Sequence, residues 1–201
     1  MSELGVARAW MRTIVIDEDG NTQVNPWVGN ATVKIGKLTI GNLLIGQAGS
    51  ATGGFLYVMV GSANLAASSI NLDDDRLQGT LAAHTTAHEY IGNANRKTLY
   101  SAAATATGVA LSSSDWVAST TTIDCVTYHY LLQGYTEFDA TDLNGTAPPG
   151  VPYVRYGLNT NIATPASVTG LNGFMLNELH DTVVNYKTTS NTIRVEINLR
   201  V

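Results

Sequence analysis

The chain has 201 residues, enough for one large all-β domain that buries a core without disulfides, and its single cysteine permits none within the chain. Only 13% of residues are charged and the formal net charge is −5; the four lysines and seven arginines lie scattered, which argues against the basic stripe of a nucleic-acid binder. No apolar run approaches the roughly 20 residues that cross a bilayer, and Met1-Ser2-Glu3-Leu4-Gly5 lacks the basic start and apolar run of a signal peptide, so the expectation is a protein made in the cytoplasm.

Trp10 to Ile16 reads as a strand ending in the turn Asp17-Glu18-Asp19-Gly20-Asn21, where Gly20 tolerates positive φ. Residues 1–9 before it read as an N-terminal arm. Alternation returns from Thr32 to Ile40 and shifts phase at Gly36-Lys37, predicting a bulged strand. Phe55 to Val60 is a short apolar run of a buried strand. Asn71 to Gly79 is a polar connection holding Asp73, Asp74 and Asp75, with a short helix possible over Asp75 to Ile91.

Ser101 to Thr122 is 22 residues of mainly Ser, Ala and Thr with one charge, Asp115; recurring β-branched residues favour extended structure. Ile123 to Tyr135 reads as one strand, with Cys125 a buried thiol inside it. Four of the five prolines fall between Pro148 and Pro165, which predicts a surface loop with Val154 to Tyr156 as a short edge strand. Asp181 to Tyr186 and the C-terminal strand are expected to form a hairpin around Lys187 to Asn191. That last strand has the clearest pattern: Ile193, Val195, Ile197, Leu199 and Val201 alternate with Thr192, Arg194, Glu196, Asn198 and Arg200. A period of two demands one wet and one buried face, and a strand must lie inside a sheet, be covered, or pair with another chain. Many short strands with turn signals predict a single all-β domain over residues 1–201, a β-sandwich or barrel with extended loops and arms.

Signatures of chemistry are thin. His84 and His88 stand four apart, but Thr85 and Ala87 occupy the positions where zinc proteases place their glutamate. Asp73, Asp74 and Asp75 are consecutive, unlike the alternate ligands of calcium loops; Asp17, Asp19 and Asn21 alternate but lack the later glutamate. There is no Gly-x-Ser-x-Gly elbow, and Cys125 and His129 in one strand lie roughly 13 Å apart. No cofactor, metal site or catalytic residue is assigned.

The block Tyr57-Val-Met-Val-Gly-Ser-Ala-Asn-Leu-Ala-Ala-Ser-Ser-Ile-Asn-Leu-Asp-Asp-Asp-Arg-Leu77 resembles tailed-bacteriophage virion proteins, in which a strand ends in a Gly-Thr/Ser step, then a small-residue loop, then an Asp-x-x-Leu segment. Arg96-Lys97 and the later Ser/Ala/Thr-rich strands are similar to that pattern, so the resemblance loosely covers residues 55 to 135. Thr136-Glu137-Phe138-Asp139 departs from the Thr-Glu followed by Gly-Leu-Phe of those proteins. The resemblance implies a non-enzymatic structural subunit of a virion, of head-decoration, collar, baseplate or fibre-anchoring type, whose partners are copies of itself and other virion proteins rather than nucleic acid or membrane.

Composition supports that expectation independently, because a surface poor in ions is easier to bury against neighbours. Contacts are expected on the N-terminal segment Ser2 to Trp10, on the Pro148, Pro149 and Pro152 loop, and on Ile193, Val195, Ile197, Leu199 and Val201 of the terminal strand. The alternative from another class is a carbohydrate- or receptor-binding module using Trp27, Trp116, Tyr128, Tyr130 and Tyr135. A surface hydrolase is a further alternative, with no acid pair selected.

Overall fold

A computed structural model describes residues 8–29, 31–32, 36–37, 40–41, 45, 57–62, 96–142, 150–159 and 175–201. Its body is all-β, as the sequence predicts. The strands are β1 (Arg8–Asp17), β2 (Thr22–Val24), β3 (Val28–Gly29), β4 (Ala31–Thr32), β5 (Tyr57–Ser62), β6 (Arg96–Thr98), β7 (Tyr100–Ser101), β8 (Val117–Ile123), β9 (Val126–Phe138), β10 (Val151–Asn159), β11 (Met175–Lys187) and β12 (Asn191–Arg200). They form two antiparallel sheets. In the first, the order is β2-β1-β12-β9-β7, with β3 also on β1 and β8 also on β9. The second runs β4-β11-β10-β5-β6.

Period-two patterning builds the shared core. Ala9 and Met11 of β1 and Ile193, Val195 and Ile197 of β12 point inward. Met11, Ile193, Val195 and Ile197 meet Phe138 of β9 and, from the second sheet, Val58, Tyr153, Tyr156 and Leu158. Phe138 and Tyr153 join the sheets edge to face, with centroids 5.6 Å apart. Fully burying a side chain of this class stabilises by about 1.5–3 kcal/mol.

A polar cluster also lies between the sheets. Thr13 of β1 donates to Asp181 of β11 at 2.5 Å and accepts from the Asn25 amide at 2.6 Å and the Asn185 amide at 3.1 Å. Asn185 also donates to Asp181 at 3.0 Å and accepts from Asn25 at 2.9 Å. All four side chains are buried, so the cluster is held by mutual satisfaction, and removing a member strands the rest.

The structure corrects several expectations. The terminal strand takes the first of its expected options and lies inside a sheet, paired with β1 from Arg8↔Arg200 to Asp17↔Asn191 and with β9 from Ile193↔Phe138 to Arg200↔Leu131. It therefore makes no hairpin ladder with β11, which belongs to the other sheet. The link between them crosses from sheet to sheet and is tied by Lys187, whose Nζ donates to the carbonyls of Thr188 at 2.5 Å and Asn191 at 2.7 Å. Burial lowers the pKa of this ammonium, while Asp142 and Asp139 oppose the shift.

The proline-rich stretch is not the expected surface loop over residues 151–159. Its residues 151–159 form β10, flanked by β11 and β5 rather than at an edge. Pro152 is tolerated because it pairs with Tyr186 on one side and lies beyond the end of β5, whose ladder begins at Tyr153↔Ser62, so no donor is missed there. The expected strand from Ile123 to Tyr135 is present from Val126 onward as β9, but its start is the turn of a hairpin. Asp124 and Cys125 both take left-handed φ, 51° and 66°, which is what a two-residue turn between twisted strands requires. Cys125 is exposed at its tip, not buried.

Ser101 to Thr122 is extended only at its ends, because its one charge folds the middle. Asp115 accepts from the Ser101 hydroxyl at 2.5 Å and the Ser112 amide at 2.7 Å, and Leu111 is pinned in the core. Among the described residues from Thr32 to Ile40, Thr32 ends β4 and Gly36-Lys37 are in a helical turn. The expected helix over Asp75 to Ile91 lies outside the described residues.

Candidate interaction face

Because β1 and β12 pair antiparallel in register, their polar alternations fall on the same side and build one outer face. β9 extends it. One row across the sheet reads Arg12, Glu196, Tyr135 and Tyr100, and the next reads Trp10, Asn198 and Gln133. On the other side of the first row stand Ile14, Arg194 and Glu137. At the far end Arg8, Arg200, Leu131 and Val117 follow one another.

Within this face arginines alternate with aromatic rings. Arg12 donates to Glu196 at 2.7 Å from both Nε and Nη2, and its guanidinium carbon lies 4.7 Å from the Trp27 ring centroid. Arg194 contacts Glu137 at 2.8 Å through Nε and 2.6 Å through Nη2, and lies 4.9 Å over Tyr135. Tyr135 in turn meets Tyr100 at 5.8 Å. Arg8 lies 5.1 Å over Trp10 and pairs with Asp124 of the hairpin tip, whose hydrogen bond raises the guanidinium pKa. Arg200 donates to the Thr121 hydroxyl at 2.9 Å. These pairs are partly exposed, so each adds at most about 1 kcal/mol to stability. The four arginines on the face meet three carboxylates there, leaving it close to neutral.

The sequence-predicted contact residues fare differently. Trp10 is on this face, half-buried beneath Arg8. Ile193, Val195 and Ile197 are in the chain's own core, so they are not surface contacts; β12 is the middle of a sheet and its inward side chains are spent there. Leu199 is half-buried opposite Ala9 and Leu132. Val201 is 39% exposed and continues the ladder by bonding the backbone of His129 and Tyr130. Pro148 and Pro149 lie outside the described residues, and Pro152 is a strand residue rather than a loop residue.

Of the aromatics weighed for sugar binding, Tyr128 is buried and Trp116 half-buried, while Trp27 and Tyr130 are exposed at 38% and 51%. His84, His88 and Asp73 to Asp75 lie outside the described residues. Asp17 spends its carboxylate on its own turn, accepting from the Asn21 side chain at 2.9 Å and from the amides of Asn21 and Asp19 at 2.8 and 3.0 Å, which holds its pKa below the usual range. Among the described residues no group of three His, Cys, Asp or Glu is placed to hold a metal ion.

No family model, no curated protein and no solved structure matches this chain. The face itself was missed in the sequence. Its signal, Arg8-x-Trp10-x-Arg12 and Arg194-x-Glu196-x-Asn198-x-Arg200, is present, but only the pairing of the first described strand with the last brings the two halves together.

Proposed function

We propose that this chain is a non-enzymatic structural subunit of a phage virion that works through protein–protein contacts, with copies of itself and with other virion proteins. The observation that carries the contact reading is the arginine–aromatic face. Trp, Tyr and Arg are the side chains that dominate protein interfaces. Here they sit on a rigid sheet with three of the four arginines already paired to carboxylates, so a partner covers those three without stranding an ion. The placement in a virion rests on the resemblance carried by Tyr57 to Leu77 and the Ser/Ala/Thr-rich strands after it.

The test is the molar mass of the purified chain by light scattering over a hundredfold concentration range, for the natural sequence and for Trp27→Ala and Arg12→Ala. A defined oligomer weakened by either substitution supports the reading. A concentration-independent monomer near 21.3 kDa counts against self-assembly.

A second reading, a carbohydrate- or receptor-binding module, is favoured by the exposed ring of Trp27, which stacks on Arg12. Quenching or shift of tryptophan fluorescence on adding glycans, absent in Trp27→Ala, would support it.

A further inference from the structure

The edges of the two sheets differ in one respect. Among the described strands, β2, β3, β4, β6 and β7 are two or three residues long, which is how proteins keep an edge from recruiting another chain. β8 is the exception. It runs seven residues, Val-Ala-Ser-Thr-Thr-Thr-Ile, with no charge and no proline, and Val117 on it is 52% exposed. Among the described residues it pairs only with β9.

The hairpin geometry says which backbone groups are open. Ile123 and Val126 flank the two-residue turn and so form a hydrogen-bonded pair. Alternation then makes Thr122 and Thr127 a non-hydrogen-bonded pair, whose side chains lie closer together; their hydroxyls meet at 3.1 Å. The N–H and C=O of Thr122 therefore point away from β9, into the open edge.

We propose that β8 is a self-pairing edge: two copies of this chain join antiparallel about a two-fold axis at Thr122, merging their first sheets. The inference rests on the assembly reading above and names the partner. About that axis Thr122 faces its own copy and exchanges two main-chain bonds with it, and Thr121 faces Ile123. A charge on this strand would meet itself or its near neighbour across the axis; β8 carries none, so a second copy is the partner to which its neutrality is suited. The bulge between Ala118 and Thr121 confines the flat part to Thr121–Ile123. The contact is therefore weak alone and gains strength when repeated in an assembly.

Sedimentation velocity on the full chain over a hundredfold concentration range tests this, with Thr122→Lys, Thr122→Pro and a control, Thr22→Lys, at an exposed position of β2. Thr122→Lys sets two like charges face to face. Thr122→Pro removes the outward donor, which no described strand uses, along with the exposed hydroxyl contact to Thr127. Circular dichroism and urea midpoints check that each variant folds; if the proline variant does not, the lysine variant decides. The expected result is a reversible dimer for the natural chain and for Thr22→Lys, lost in both Thr122 variants. An oligomer unchanged by the Thr122 variants but weakened by Trp27→Ala overturns the edge and leaves the assembly reading standing. A natural chain that stays monomeric throughout overturns both.

Discussion

Two fully buried threonines should respond in opposite directions to the same substitution. Thr136 of β9 faces the core, where its hydroxyl has no hydrogen-bond partner among the described residues. Thr13 of β1 is buried to the same degree, but its hydroxyl makes the three bonds of 2.5, 2.6 and 3.1 Å that join Asp181, Asn25 and Asn185. Valine has the shape of threonine with a methyl group in place of the hydroxyl. Burying a hydroxyl without a partner costs about 1–3 kcal/mol by mutational measure. Thr136→Val should therefore stabilise by about 1 kcal/mol, allowing for imperfect repacking of the methyl group. Thr13→Val removes three bonds of about 1 kcal/mol each and leaves a buried carboxylate and two amides under-satisfied, so it should cost about 2–4 kcal/mol. With a urea slope of about 2 kcal/mol/M the midpoint should rise by roughly 0.5 M for the first and fall by roughly 1–2 M for the second. Midpoints followed by circular dichroism, with slopes compared to confirm two-state behaviour, decide it. Equal changes in both variants, or a lower midpoint for Thr136→Val, would refute the claim that partner satisfaction rather than burial sets the sign.

Further outcomes follow from other sites. Cys125→Gly should raise stability by about 0.5–1 kcal/mol, because glycine takes left-handed φ without the penalty a side chain incurs; thermal or urea midpoints measure it. Gly150→Ala should cost about 1–3 kcal/mol, since φ there is 107° and an added Cβ would sit 2.6 Å from the Lys187 carbonyl oxygen. Burial first, and then Asp142 and Asp181 respectively, push the phenols of Tyr153 and Tyr156 up. A raised phenol contributes stability that is present below its unfolded value of 10.0 and lost as pH rises above it, so urea midpoints should fall above pH 10, less steeply in Tyr153→Phe. Hydrogen bonds from Ser101 and Ser112 hold Asp115 below its usual range, giving stability present above pH 3.8 and lost as pH falls through the lowered value; Asp115→Asn should flatten that acid limb.

The sequence makes strand faces legible but not strand neighbours. Period-two patterning correctly identifies the inward residues of the terminal strand, because burial on one side is a local property of alternation. Whether that strand is an edge depends on what lies beside it, and the residues that cover it, β1 and β9, are distant in sequence. The same gap hid the arginine–aromatic face, which is two unremarkable arginine patterns until β1 meets β12. Asp124-Cys125 was unreadable as a turn because neither residue is glycine or asparagine; the strands impose the conformation on residues that do not favour it. Proline led the reading the other way at Pro152, where the missing donor falls beyond the end of the neighbouring strand and so costs no bond.

The pairing of β1 with β12 also sets a timetable. Polypeptide emerges at about 5–20 residues per second, so the ten residues of β1 wait about ten to forty seconds before their partner strand exists. Until then Met11 and Ile14 have only the short strands β2 and β3 beside them, and the Thr13 hydroxyl lacks Asp181 and Asn185. The first sheet can form only late, and closing so long a loop makes that step slow. A synonymous change that slows synthesis between β1 and β12 should lengthen this interval and lower the soluble yield without altering the folded protein.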